Sequence, residues 1–309
     1  MSAMPDWRST LAALPTCMLL LTCAACASSD ARIAKAQKRT NQTIAVLAQM
    51  TDADSLAAAG LMTGKGGAES LSLLARAAAA APDRADLVWL QVARCAQLPS
   101  CDPVPFEQRL HELDPANGVS RWSALGRAGA ANDSEGLNAV LVAISHSERL
   151  DIYWTTLIAH LSRAVAQTKK MSLEESEVTV IGYLAAQAIP PFQYVSTSCK
   201  GERLQQPGAT ETCRGVAKAL QNGDTYITEM IGVAIAKRVW PENSSEWKAA
   251  AEQRRAYDYR SKLYSKLEQR TLTHPEEYLI LCAQNRRESD LFAAQLTAAG
   301  FSPDPPPQP

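Results

Sequence analysis

The most reactive side chains in this sequence are its eight cysteines. Cys23 and Cys26 form a Cys-x-x-Cys pair, a spacing that suits metal binding or dithiol exchange, but both fall inside an apolar leader. The four histidines, His111, His146, His160 and His274, show no spacing that would put two imidazoles on one helical face. His111 and Glu112 open HELDP like a zinc-protease helix, yet the second histidine is missing and Pro115 ends the helix. GLMTGKGG, residues 60–67, is one residue short of a phosphate loop, places Gly66 where the chemistry needs a hydroxyl, and follows no strand, so it reads as an interhelical loop. Glu174, Glu175 and Glu177 collect carboxylates on one helix, in a charge run that reads as a solvated face. No Gly-x-Ser-x-Gly, His-Glu-x-x-His or Gly-x-Gly-x-x-Gly is present. The reading is therefore of a non-enzymatic protein with no catalytic residue, no metal site and no cofactor.

Beyond the leader the cysteines fall into a different pattern. Cys95 and Cys101 bracket AQLPS, and Cys199 and Cys213 bracket the polar stretch KGERLQQPGATET; proximity pairs each couple as a local disulfide. Closing a loop of the second size gains about 3 kcal/mol by the chain-entropy argument. Cys282, within YLILCAQ, reads as a buried free thiol. Two bridges imply an oxidising compartment.

The leader agrees with that compartment. Residues 11–25, LAALPTCMLLLTCAA, form an apolar stretch behind Asp6 and Arg8, which makes 1–25 a signal peptide. A membrane-spanning helix needs about 20 apolar residues, and Ser28, Ser29, Asp30 and Arg32 interrupt too soon. Cys26, after Ala24 and Ala25 and before Ala27, Ser28 and Ser29, resembles the lipobox cysteine of bacterial lipoproteins. Cys23 stands where that family usually has Leu. Two other registers stay open: acylation at Cys23 behind Leu20, Leu21 and Thr22, or ordinary cleavage near Ala25, Cys26 and Ala27, which leaves a secreted or soluble periplasmic protein. The lipoprotein resemblance implies a periplasmic protein attached to a membrane only through lipidated Cys26, and Ala27 in place of Asp implies outer-membrane sorting.

Thirty-one Lys and Arg against thirty-two Asp and Glu leave a net charge of −1, which excludes a basic field for nucleic acid. Hydrophobic residues make up 46% of the chain but aromatics only 6%, so Ala and Leu supply most of the apolar surface and the class is all-α.

The elements that must position any site show a repeat. Trp89, Trp122 and Trp154 recur at intervals of 33 and 32 residues and open WLQVAR, WSALGR and WTTLIA, while Pro82 and Pro115 precede the first two at the same distance. Trp122, Leu125 and Gly126, with LDPAN at residues 113–117 before them and Asn132 and Asp133 after, resemble the tetratricopeptide repeat; Trp89, Val92 and Ala93 give a second copy and Trp154 with Leu157 a third. That resemblance implies an α-solenoid of stacked antiparallel helix pairs. It divides the chain into N-terminal helices and loop at 26–67, repeats at 68–190, an insertion at 191–213, degenerate helical repeats at 214–300 and a Pro-rich tail at 301–309. In the resembling family the residue five after the Trp lines a concave peptide groove, which here implies Arg94 and Arg127. Together these features describe an exported scaffold or assembly factor that binds another envelope protein or peptide. The alternatives are an envelope enzyme or accessory subunit with its site near 191–213, and a secreted binding factor.

Overall fold

A computed structural model describes residues 16–64, 67–187, 191–267 and 274–307, with side chains from Arg32 onward and not those of 266 and 267. Residues 1–15 of the signal peptide lie outside this set, as does the side chain of Cys26, whose backbone belongs to the first helix. The chain divides into two units, Met1–Gln42 and Thr43–Pro309. The first holds most of α1 (Thr16–Leu47).

The second unit is helical throughout, with no strand among the described residues. Its elements are α2 (Ala53–Met62), α3 (Ala68–Ala80), α4 (Ala85–Cys95), α5 (Val104–Leu113), α6 (Trp122–Ala130), α7 (Ser134–Ser145), α8 (Trp154–Gln167) and α9 (Leu173–Ala185). Then come α10 (Phe192–Ser198), α11 (Ala209–Gln221), α12 (Tyr226–Val239), α13 (Ser245–Leu267), α14 (Pro275–Gln284) and α15 (Glu288–Ala298), and short 3-10 turns occupy Gly118–Arg121 and Gly201–Gln205.

Local chemistry sets the boundaries. Asp52 caps α2 by accepting Ser55 N at 2.9 Å, and Asp133 caps α7 through Gly136 N. Ser172 and Glu175 form the reciprocal capping box that starts α9. Gly300, at φ 81°, ends α15 by letting Phe301 N reach the Leu296 carbonyl at 2.9 Å.

Helix pairs adjacent in sequence pack together: α2 with α3, α8 with α9, α11 with α12. A solenoid would confine contacts to such neighbours, but here α2 also packs on α8, α7 on α11, and α8 on α14. Two of these approaches depend on glycine. A Cβ on Gly215 would collide with the backbone carbonyl of Ser145 on α7, and one on Gly232 would stand 2.5 Å from the backbone nitrogen of Gln221 on α11. The core follows these crossings and includes Leu61, Leu87, Leu125, Ile144, Leu157 and Leu220, all essentially inaccessible.

Trp89 and Trp122 keep both their sequence spacing and their place in a helical stretch: Trp89 lies four residues after Ala85, the start of α4, and Trp122 four residues after Gly118, where the 3-10 turn Gly118–Arg121 runs directly into α6. Trp154 instead is the first residue of α8.

The 191–213 segment is not an irregular loop. It forms α10 and a 3-10 turn; Val195 is fully buried in the main core, and a disulfide joins Cys199, at the end of α10, to Cys213 in α11. The Pro-rich tail, described to residue 307, is tied down, since Arg260 Nε donates to the Pro303 carbonyl at 3.0 Å and Arg255 to that of Pro306 at 2.7 Å.

Candidate functional site

The two bridges lie where proximity placed them: Cys95–Cys101 with a Cα separation of 5.3 Å, and Cys199–Cys213 with 5.6 Å. They fit an oxidising, extracytoplasmic setting. No helix among the described residues is long and apolar enough to cross a membrane. Cys282 is free and buried, and desolvation pushes its thiol up to about 12, so the reactive thiolate is suppressed.

The Cys95–Cys101 bridge forms one wall of a cleft of about 440 Å³ between α4, the α4–α5 connection and α6. Trp89 and Ala93 line it from α4, and Trp122 and Gly126, the residues in matching repeat positions, line it from α6. Pro99, Pro103 and Pro191 complete an apolar surface, and Ala96 and Ala130 are exposed within it. A cleft of this volume with mostly apolar walls is the usual form of a binding site.

The two arginines are placed differently. Arg127 lines the cleft but is already paired: its guanidinium holds Glu107 by two hydrogen bonds, at 2.8 and 3.0 Å, and Ser123 by a third at 2.7 Å. The Glu107 carboxylate is the main cause of the raised Arg127 pKa. Arg94 is absent from the cleft. It is 3% exposed, donates to the carbonyls of Gly64 at 2.9 Å and Leu61 at 3.3 Å, and so acts as a strut between α4 and the end of α2. The spacing that put both guanidiniums on one groove assumes that each repeat leaves this helix face open, but α4 is buried on every side from Asp86 to Cys95, so Arg94 meets the end of α2 instead. Desolvation lowers the Arg94 pKa, as expected for a cation held by carbonyls alone.

A second cleft, of about 470 Å³, is also lined by Trp89. Its walls carry Trp154, Phe192, Tyr226 and Tyr257, with Glu288 as its one charged side chain. Sequence reading gave no warning of it, because these residues come from α4, α8, α10, α12, α13 and α15.

Trp154 is held there by a polar knot. Asp224, in the α11–α12 turn, accepts Ile152 N at 3.0 Å and Trp154 N at 2.8 Å. Tyr153 between them has φ 60°, a left-handed conformation rare for an aromatic residue, and its hydroxyl donates to Asp114 at 2.8 Å. Arg286 donates to both oxygens of Asp151, and Arg149 bridges Asp151 and Asp114 at 2.9 and 2.6 Å. Burial, then the charge of Asp151, pushes Asp224 up to about 8 despite the two backbone donors. Asp224 is 1% exposed, and neither aspartate lines either of these two clefts. The knot is a structural clasp joining α8 to α12 and the α14–α15 connection.

Glu177 departs from the solvated-face reading. It is 8% exposed, and desolvation, then Glu174, pushes its carboxyl up to about 7. No group of three or more His, Cys, Asp or Glu among the described residues is arranged to hold a metal ion. No protein family, curated protein or solved structure matches the chain.

Proposed function

We propose that this chain is an exported, non-enzymatic binding protein of the bacterial envelope, anchored through lipidated Cys26, whose tetratricopeptide-like helices receive an extended apolar segment of another envelope protein. The binding surface is the cleft between Trp89 and Trp122. The supporting observation is that residues in matching repeat positions, Trp89 with Trp122 and Ala93 with Gly126, line one open apolar cleft. Small residues at the second pair keep it open, and the bridge between Cys95 and Cys101 fixes its wall without using any side chain a partner would need. Because Glu107 already neutralises Arg127, the partner segment brings apolar side chains rather than a compensating acid.

Ala130 and Ala96 allow a test that spares the core, since both are exposed and line the cleft. Purified protein is applied to tiled peptides from envelope proteins. It should select apolar, aromatic-containing peptides, and Ala130→Arg should weaken them at least about tenfold, a change of roughly 1.4 kcal/mol. An unchanged selection by the variant removes the cleft from the account. For the anchor, metabolic fatty-acid labelling should mark the wild type and not Cys26→Ser; equal label in both overturns that assignment.

A further inference from the structure

The second cleft has a composition that the peptide reading leaves unused. Its aromatic walls surround one carboxylate, Glu288, which forms no ion pair among the described residues, although its chain neighbours Arg286 and Arg287 are committed to Asp151 and Glu229. One Glu288 oxygen caps α12 by accepting Tyr226 N at 2.8 Å; no hydrogen bond among the described residues engages the other. Desolvation dominates the upward shift of this carboxyl, and no neighbouring cation opposes it. Tyr226, which is 7% exposed and lines the same cleft, leaves its hydroxyl without a partner among the described residues. A half-buried acid without a counter-charge favours a cation, and aromatic faces favour one whose charge is spread over alkyl groups rather than strongly hydrated.

We propose that this cleft binds an alkylated ammonium ion, packing its alkyl groups on Trp89, Trp154 and Tyr226 and pairing its charge with Glu288. The volume of about 470 Å³ accommodates a small organic cation. A metal ion does not fit, since one carboxylate among aromatic rings offers too few oxygen ligands.

The probes are benzyltrimethylammonium and its neutral carbon isostere, neopentylbenzene, titrated into the full chain and followed by tryptophan fluorescence and calorimetry. The cation should bind at least about tenfold more tightly than the isostere. Glu288→Gln should erase most of that preference while leaving isostere binding in place, and Trp154→Ala should weaken both ligands. Equal affinity for the two wild-type ligands, no saturable binding of the cation, or an unchanged preference in Glu288→Gln overturns the proposal. If Glu288→Gln does not fold, the wild-type preference decides by itself. Ala130→Arg, which blocks the other cleft, should leave cation binding unchanged, so this inference and the peptide reading can fail separately.

Discussion

Substituting Asp224 by Asn tests the clasp that sets Trp154. In the wild type both carboxylate oxygens accept backbone hydrogens, from Ile152 and Trp154. Asparagine supplies one acceptor and turns an NH2 group toward the other backbone N–H, so one buried donor loses its partner. That costs about 1–3 kcal/mol. A pH-dependent part is added to this. Burial, then Asp151, raises Asp224 from 3.8 to about 8 in the fold. Across most of that range the folded state keeps a proton that the unfolded chain has released, so stability falls as pH rises and levels off above about 8. The slope is about 1.4 kcal/mol per pH unit, which gives on the order of 2–3 kcal/mol between about pH 6 and about pH 8. Asn does not titrate. The variant should therefore be clearly less stable than wild type at the lower pH and approach it at the higher. Urea unfolding followed by far-UV circular dichroism at both pH values measures this, and taking the difference between the two proteins largely removes the background from Glu177 and Glu288. A wild-type-minus-variant difference that is constant between the two pH values would show Asp224 ionised throughout, with no raised carboxyl in the clasp.

Further outcomes follow from packing and bridges. Gly232→Ala should lose about 1–3 kcal/mol, because the new methyl meets the immobile backbone of Gln221, whereas Gly182→Ala, with nothing within 4 Å, should gain up to about 1 kcal/mol from helix propensity; urea midpoints check both. Replacing Cys199 and Cys213 together by Ser should cost about 3 kcal/mol, read from the same midpoints. Cys282 should resist alkylation in the folded protein and react at once in denaturant, as mass spectrometry of labelled peptides would show.

The sequence is most legible where a residue acts on its own neighbours. Asp52, the Ser172–Glu175 box and Gly300 mark helix ends in the chain as they do in the structure, because capping is decided within a few residues. The bridge pairs follow from short loops in the same way. Packing between distant segments is not legible. Nothing local in α2 indicates that it meets α8, or that Gly215 exists to admit the Ser145 carbonyl. Arg94 shows why the inference from repeat spacing fails. Every residue of α4 from Asp86 to Cys95 is buried, so a position that would face a groove in a regular hairpin here faces the end of α2. Glu177 looks like part of a charged surface until the third dimension buries it. The aromatic cleft needs Glu288 beside Trp89, a meeting that no period in the sequence encodes.

Docking of an envelope partner between Trp89 and Trp122 can be read by site-specific photo-crosslinking in cells that export the protein. A photoreactive residue at Ala130 samples the cleft, and one at Val178, 66% exposed on α9, samples exposed surface elsewhere. Docking in the cleft gives a discrete adduct from position 130, lost when Arg replaces Ala96, and none from 178. Adducts of equal yield from both positions, or a position-130 adduct that survives Ala96→Arg, would contradict it.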